Sequence, residues 1–330
     1  MATVRATRRA VVTGGAGFIG SHLCERLLED GAEVVAVDNL VSGDRANLAE
    51  LVGRPGFTFV ERDVCPPGLP EALPGGPFDL VMHLACPASP ADYLRLPLET
   101  LETGSHGTRS ALELARRDGA RLVLASTSEV YGDPEEHPQR ETYWGHVNPV
   151  GPRSVYDEAK RFAEALVTAH RGVHGTDTAI ARIFNTYGPR MRPGDGRAVP
   201  TFVRQALAGE PLTVAGDGSQ TRSLCYVDDT VEGLLALAAS GLPGPVNIGG
   251  DEEITILELA RRVIALTGSR SGITRVELPG DDPVRRRPDT TLARERLGWS
   301  PRTGWETGLK KTVSWFSELP PAPRMTADHV

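Results

Sequence analysis

The sequence predicts an α/β protein: a doubly wound parallel sheet of the Rossmann-like type with a smaller C-terminal α/β domain. Through the first half of the 330 residues, short apolar runs alternate with amphipathic stretches. The first run leads directly into a glycine-rich loop, and the second ends at Asp38. Strands that are separated by helices form βαβ units, which pair their strands in parallel.

The individual elements follow from the same pattern. Buried strands are expected at residues 10–13, 33–37, 57–60, 79–84, 121–125 and 178–183. Helices are expected at residues 18–28, 98–117 and 154–171, and segment 66–77, rich in proline and glycine, is expected to be a loop. After residue 185, short helices at 199–207 and 255–266 mix with short strands at 212–214 and 246–248.

The composition argues against several classes of partner. The formal net charge is −7 and no long basic block occurs, so nucleic acid and anionic membranes are not expected partners. No window approaches the ~18 continuous apolar residues of a membrane helix. The four cysteines are scattered without metal-ligand spacing, which predicts no metal site and reduced thiols in a cytoplasmic protein.

A glycine-rich loop joins the first strand to the first helix. Gly14, Gly17 and Gly20 recur there at every third position. Glycines at this junction permit a tight turn and a close approach of the backbone to phosphate, and the helix N-terminus offers free N–H groups and a positive dipole end. The loop therefore predicts a dinucleotide site rather than a merely structural turn.

Asp38 indicates which dinucleotide binds. Its carboxylate can accept from a ribose hydroxyl but would repel a 2′-phosphate, so NAD is expected over NADP. Asn39 follows it directly, whereas Arg45 is close enough in sequence to be the main objection. Asp63 and Val64, after the third strand, could contact adenine, or Asp63 could simply cap the strand end.

Tyr156 and Lys160 form the predicted catalytic pair. They are four residues apart on one helix and so face the same way. A free tyrosine has a pKa near ~10, and lowering it to ~7 requires ~4 kcal/mol, which the lysine and the positive nicotinamide would supply together. A helical tyrosine beside a solvated lysine is the simpler interpretation of an isolated pair. After a dinucleotide loop, general-base catalysis on an alcohol is favoured.

Thr127, Ser128 and Glu129 follow the fifth strand. Ligand sites of open α/β sheets gather at this end of the strands, where two hydroxyls and a carboxylate suit acid–base work. Spacing alone equally allows Glu129 to cap the turn before Tyr131.

Four longer motifs resemble the extended short-chain dehydrogenase/reductase superfamily of nucleotide-sugar enzymes. They lie at residues 83–90, 126–132, 182–191 and 216–222, and the resemblance extends from about Arg9 to Phe316. Within the superfamily, the sequence is most similar to the UDP-glucuronate decarboxylases. The resemblance implies NAD as cofactor, a UDP-sugar as substrate, and a homodimer formed by helices 98–117 and 154–171. The sequence departs from the family at three positions, with Gly104 for Asn, Glu99 for Lys and Ala215 for an aromatic residue.

The resemblance also implies a reaction. Related 4,6-dehydratases have aspartate in place of Ser128, and serine is a poor acid, which argues against elimination of water. Oxidation of glucuronate at C4 would give a β-keto acid, which would lose CO₂ to form an enolate. After protonation at C5, return of the hydride to C4 would give UDP-xylose without net redox change. Two alternatives remain: another nucleotide-sugar enzyme, above all a UDP-hexose 4-epimerase, and a non-catalytic NAD-binding protein.

Residue roles are carried over from the same resemblance. Tyr156 is the base, Lys160 lowers its pKa and holds the nicotinamide ribose, and Arg222 suits the diphosphate. The remaining catalytic residues are Glu129 and Arg286, for decarboxylation and proton delivery, and Thr127 and Ser128, which position the sugar. The cofactor residues are Gly14, Gly17, Phe18, Ile19, Gly20, Asp38, Asn39, Ser42, Gly43, Asp63, Val64, Leu84, Tyr156 and Lys160. The substrate residues are Ala88, Tyr93, Arg153, Asn185, Arg222 and Arg286. Arg286 lies in a run of three arginines, from which at least one anion contact is expected rather than a solvated basic loop.

The expected domain division follows the two functions. Residues 9–185 form the NAD-binding domain, and segments at about 220–250 return to it. Residues 186–219 and 251–317 form the substrate-binding domain. Residues 318–330, which include three closely spaced prolines, are expected to be a disordered tail.

Overall fold

The computed structural model describes residues 7–278 and 285–320. Within these residues the strands are β1 (Arg9–Thr13), β2 (Glu33–Asp38), β3 (Phe57–Glu61), β4 (Leu80–His83), β5 (Arg121–Thr127), β6 (Thr178–Ile183), β7 (Thr186–Tyr187), β8 (Leu212–Ala215), β9 (Thr221–Ser223), β10 (Cys225–Tyr226), β11 (Val246–Ile248), β12 (Glu253–Thr255), β13 (Ile273–Val276) and β14 (Arg285–Arg286). The α-helices are α1 (Phe18–Glu29), α2 (Leu69–Ala72), α3 (Pro90–Arg95), α4 (Pro97–Glu102), α5 (Thr108–Asp118), α6 (Ser154–His174), α7 (Ala198–Ala208), α8 (Val227–Ala239), α9 (Ile256–Thr267), α10 (Thr291–Leu297) and α11 (Trp305–Glu318).

Seven strands form one entirely parallel sheet, in the order β11-β6-β5-β4-β1-β2-β3. The strand order reverses between β1 and β4, because the chain first builds outward through β2 and β3 and then returns to the other side of β1. Crevices at the carboxyl ends of strands beside such a reversal are where ligands of open α/β sheets bind. The predicted doubly wound parallel sheet is confirmed.

Apolar side chains cover both faces of this sheet. On β1, Ala10 and Val12 belong to one buried cluster and Val11 to a second, as the alternation of side chains along a strand requires. Val35 and Val81 of the neighbouring strands join Val11 in the second cluster. A parallel sheet that is buried on both faces needs such unbroken apolar runs, which is why the sequence revealed these strands.

Three smaller sheets lie beyond β6. β7 pairs with β10, and β8 pairs with β13, both in parallel. β9 pairs antiparallel with β12 and parallel with β14, which brings the arginine run next to residues 221–223. None of the helices in the described ranges is long and apolar enough to cross a membrane.

The helices differ from expectation in several places. The helix expected at 98–117 is divided into α4 and α5 by a π-helical turn at Thr103–Gly107. The loop expected at 66–77 contains the short helix α2, and α3, α8, α10 and α11 were not predicted. α11 ends at Glu318, the first residue of the predicted tail, and residues 321–330 lie outside the described part of the chain, so the disordered tail stays a prediction. The division into two domains stays a prediction.

Candidate active site

The glycine loop is packed too closely for any side chain. Gly14 has a φ of +72°, and its N–H donates to the Val37 carbonyl at 2.8 Å. A Cβ on Gly20 would lie 2.1 Å from the Gly14 oxygen, and one on Gly14 would lie 2.8 Å from the nitrogen of Ala85. The loop therefore holds bare backbone against the N-terminus of α1, a cradle that fits the pyrophosphate of a dinucleotide.

Asp38 is buried at the end of β2 beside this loop. Its carboxylate accepts hydrogen bonds from the N–H groups of Ala16 at 3.0 Å and Leu40 at 2.9 Å. Burial raises the pKa of Asp38, and these hydrogen bonds oppose the rise. Arg45 forms an ion pair with Glu61. The placement of Arg45 therefore removes the main objection to NAD.

Asp63 caps the end of β3, which was the alternative to a contact with adenine. One carboxylate oxygen accepts from the Cys65 N–H at 2.7 Å, and the other accepts from the Asn39 amide at 2.8 Å. Asp63 and Val64 also line the smaller of two cavities. A contact with adenine stays a prediction.

Every predicted site residue lines one of two adjoining cavities, of about 670 and 80 Å³. The larger is lined by Gly14, Gly17, Phe18, Ile19, Gly20, Ser42, Leu84, Ala88, Tyr93, Thr127, Ser128, Glu129, Arg153, Tyr156, Lys160, Asn185, Arg222 and Arg286. The smaller is lined by Gly14, Gly17, Asp38, Asn39, Ser42, Gly43, Asp63, Val64 and Leu84. Four of these residues and also Cys86 line both cavities, so the two cavities form one continuous site at the carboxyl ends of the strands.

Tyr156 and Lys160 lie one turn apart on α6, and both line the large cavity. The Lys160 ammonium donates to the Ala125 carbonyl at 2.9 Å and lies 5.8 Å from the centre of the Tyr156 ring. The Tyr156 ring stacks on Tyr93, with centroids 5.2 Å apart and planes 8° from parallel. The common face that the spacing predicts is thus present, and Tyr93 fixes the orientation of the phenol.

The residues of the protein raise the pKa of Tyr156 rather than lowering it. Burial is the largest cause, while a hydrogen bond to Thr127 and the charge of Arg197 oppose the rise. Lys160 alone therefore does not produce the low pKa expected for the pair. The positive nicotinamide ring, which the sequence led us to expect beside Lys160, would have to lower the pKa of Tyr156.

Glu129 is held by two arginines. Its two oxygens accept from Arg286 at 2.6 and 2.8 Å, and one also accepts from Arg153 at 2.7 Å. Although burial alone would raise it, the pKa of Glu129 is lowered to about 2, chiefly by the charges of Arg286 and Arg153. Glu129 is therefore an ionised acceptor, and its side chain does not cap the turn; Thr127 does, by accepting from the Glu129 N–H at 3.2 Å.

The other predicted residues are tied to nearby backbone. Asn185 has a φ of +23°, and its amide donates to the Ser223 carbonyl at 3.1 Å. Arg222 donates to the Thr221 carbonyl at 2.9 Å. In the arginine run, Arg286 is the buried member that reaches the cavity, as the sequence led us to expect of at least one.

Three lining arginines were missed, and the first of them, Arg190, pairs with Glu25 at 2.7 Å. Arg192 pairs with Asp92 at 2.5 Å, and Arg197 pairs with Asp195 at 2.5 and 2.7 Å. Arg192 and Arg197 follow the motif at 182–191 in a segment rich in glycine and proline, which is the signal that could have revealed them. Three more cations in the cavity suit a diphosphate-bearing ligand.

Comparison with known proteins identifies the family. The model of the NAD dependent epimerase/dehydratase family matches residues 10–249. This chain belongs to that family. Its fold is also similar to the UDP-glucose 4-epimerase of Thermotoga maritima, solved with UDP-glucose, with a TM-score of 0.84, 32% identity, and coverage of 93% of this chain and 98% of that one.

Curated relatives narrow the family to one group. The chain is 51% identical to UDP-glucuronic acid decarboxylase 1 of Danio rerio over 94% of its own length and 73% of that protein. UDP-glucuronic acid decarboxylase 1 of Arabidopsis thaliana is 50% identical over 93% of this chain and 69% of that protein. The predicted resemblance to UDP-glucuronate decarboxylases is confirmed.

Proposed function

We propose that the chain decarboxylates UDP-glucuronate to UDP-xylose through a 4-keto sugar, using NAD without net consumption. The observation that carries this proposal is Glu129, ionised and held by Arg153 and Arg286 beside Tyr156 in the large cavity. Two arginines at the reacting end suit a sugar that carries a carboxylate. The roughly half-identical decarboxylases support the same conclusion.

The residues divide the work as follows. The glycine loop and Asp38 would hold NAD, which would supply reversible hydride transfer at C4 of the sugar. Tyr156 accepts the proton of the C4 hydroxyl and gives it back at the end. Arg286 and Arg153 hold the sugar carboxylate until CO₂ leaves, and Glu129 keeps both guanidinium groups in position. Proton delivery to C5 falls to Arg286 or to a group it orients.

Serine at position 128 supports decarboxylation over dehydration. Ser128 is buried in the cavity next to Glu129. An acid at this position would be needed to protonate a departing C6 hydroxyl, and a serine hydroxyl does not supply one at neutral pH. A carboxylate at C6 needs no such acid, because CO₂ leaves from the β-keto acid directly.

The testing experiment follows UDP-glucuronate by proton NMR with the NAD-loaded protein and no added reductant. The proposal predicts a UDP-pentose, release of CO₂ and no net NADH. Accumulation of a 4-keto pentose with NADH would mean that the intermediate escapes before reduction. UDP-galacturonate without CO₂ would establish the epimerase alternative, and bound NAD without turnover of any nucleotide sugar would favour the non-catalytic one.

We further propose a homodimer, a cytoplasmic location and the two-domain division expected from the sequence. α4 and α6 pack together, and Leu98, Leu101 and Phe162 on them are exposed, which supports pairing of these helices between two copies.

The four cysteines are free thiols, as a reducing compartment allows. Pairing of β11 with β6 supports a return of the chain to the cofactor domain.

A further inference from the structure

Asp157 is a buried carboxylic acid for which the proposed reaction has no role. It follows Tyr156 in the first turn of α6 and is only 5% exposed. Its Oδ1 atom is buried and has no hydrogen-bond partner. Unpartnered buried polar atoms are rare and costly, so one beside an active site calls for a reason. Asp157 is not among the residues that line the large cavity.

The charged groups that act electrostatically on Asp157 belong mostly to the catalytic cluster. The titratable and charged groups that act on it are Glu129 from the turn after β5, Arg153 and Glu158 from α6 and its N-terminal end, Arg286 from β14 and Tyr93 from α3. Burial and the charge of Glu129 raise the pKa of Asp157 to about 7, and Arg153 and Arg286 oppose the rise. Glu129 is already paired with both arginines, so neither is left to neutralise Asp157 fully.

The protonation of Asp157 changes the charge of this cluster by one unit. A neutral Asp157 leaves the fields of Arg153 and Arg286 less compensated, so an incoming carboxylate binds more tightly. An ionised Asp157 repels that carboxylate. The repulsion is strong because the protein between the two charges has a low dielectric constant. By linkage, binding of the carboxylate must in turn favour the protonated form of Asp157.

We propose that Asp157 is a positioning residue that takes up a proton when the carboxylate of the substrate enters, so that the site selects acidic sugars by coupled proton binding. This inference rests on the proposed function, because it requires a carboxylate at C6. Asp157 acts through Arg153, Arg286 and Glu129 and does not touch the sugar.

Proton uptake on binding is the direct test. Titrations by calorimetry at pH 7.5, in phosphate and in Tris, use NAD-loaded protein with Tyr156→Phe so that the sugar is not consumed. We expect UDP-glucuronate to bind with uptake of about half a proton, which a shift of about one unit from a pKa of about 7 gives at pH 7.5, and UDP-glucose with none. Asp157→Asn should abolish the uptake, whereas the charge-matched control Glu113→Gln, at an exposed position of α5, should keep it. Asp157→Ser serves as the second variant if the asparagine protein does not fold.

A pH series gives a second readout that a merely structural role would not produce. The affinity for UDP-glucuronate should fall about tenfold between pH 6 and pH 8.5 if binding shifts the pKa of Asp157 by about one unit. The fall should be absent for UDP-glucose and flattened by Asp157→Asn. Equal uptake with both sugars, uptake that survives Asp157→Asn, or failure of UDP-glucuronate to bind would overturn the inference. Release of CO₂ by the unmodified protein is measured in parallel, so loss of the proposed function is recognised separately.

Discussion

The hydroxyl of Tyr156 lies among residues that favour its neutral form. Burial raises its pKa, so the fraction of phenolate in the protein alone is small and grows as the pH rises. Tyr156→Phe removes the proton acceptor without changing the stacking on Tyr93. We expect kcat to fall by ~10²–10⁴ while NAD stays bound.

The rate of CO₂ release measures the fall in kcat for Tyr156→Phe. Quenching of the protein fluorescence by added NAD measures whether the cofactor still binds. Tyr143→Phe is the matched control, because Tyr143 lines neither cavity and its hydroxyl accepts from the Glu135 N–H at 3.0 Å. Activity of Tyr156→Phe close to that of the control would remove Tyr156 from the mechanism.

Glu129 should stabilise the fold in a pH-dependent way. Its pKa in the fold, about 2, is below that of an unfolded glutamate, ~4.3, so the stabilisation is complete above the unfolded value and is lost as the pH falls through 4 towards 2. Glu129→Gln leaves Arg153 and Arg286 without their anion, at a cost of ~3 kcal/mol near pH 7.

Denaturant unfolding between pH 3 and pH 7 checks this prediction for Glu129. The difference in unfolding free energy between the wild type and Glu129→Gln should shrink as the pH falls, because a protonated glutamate resembles glutamine. A difference that stays constant over this range would show that the ion pairs do not set the pKa of Glu129.

The predictable part of the site is the part encoded by local spacing. Gly14, Gly20, Tyr156 and Lys160 owe their function to separations of a few residues, which a sequence displays directly. The Oδ1 atom of Asp157 has no hydrogen-bond partner, while Arg286 pairs with Glu129 instead. Such pairs join residues far apart in the chain, and only the folded structure brings them together. The resemblance, rather than spacing, supplied Arg286 and Arg222.

At the scale of elements, the π-helical turn at Thr103–Gly107 packs against the catalytic helix. A Cβ on Gly104 would lie 2.7 Å from the Ala159 carbonyl oxygen and 2.8 Å from the Ala159 Cβ. Ala159 precedes Lys160, so any side chain at position 104 pushes α6 where it carries the catalytic lysine. The glycine that departs from the family pattern therefore has a packing reason in this chain.

Gly104→Ala should accordingly destabilise the protein by ~1–3 kcal/mol and lower the affinity for NAD. Gly172→Ala is the control, since a Cβ on this α6 residue meets nothing within 4 Å and alanine favours helix. Denaturant unfolding curves of both variants measure the loss of stability, and NAD titrations measure the loss of affinity. Equal tolerance of the two substitutions would mean that the contact between the turn and α6 relaxes freely.

Periodicity predicted the strands more faithfully than the helices. β1, β2 and β6 were found from apolar runs, because a buried parallel strand has no polar face to interrupt the run. The π-helical turn was missed because its residues, Thr103–Gly107, interrupt the helix for a single turn, which a periodicity read over twenty residues does not resolve. α8 was missed because its largely apolar sequence has little periodicity to detect.

At the scale of the whole molecule, the exposed apolar side chains of α4 and α6 are the basis for expecting two copies. Phe162 is 53% exposed, and Leu98 is 70% exposed, on helices that pack together. A stable dimer interface excludes water from about 1,200 Å² or more and does not tolerate an unpaired charge at its centre. Phe162→Glu should therefore convert the dimer to a monomer at micromolar concentration, as measured by light scattering. Leu207→Glu, at an exposed position of α7, should leave the mass unchanged. A wild-type protein that is already monomeric, or a Phe162→Glu protein that remains dimeric, would place any interface elsewhere on the surface.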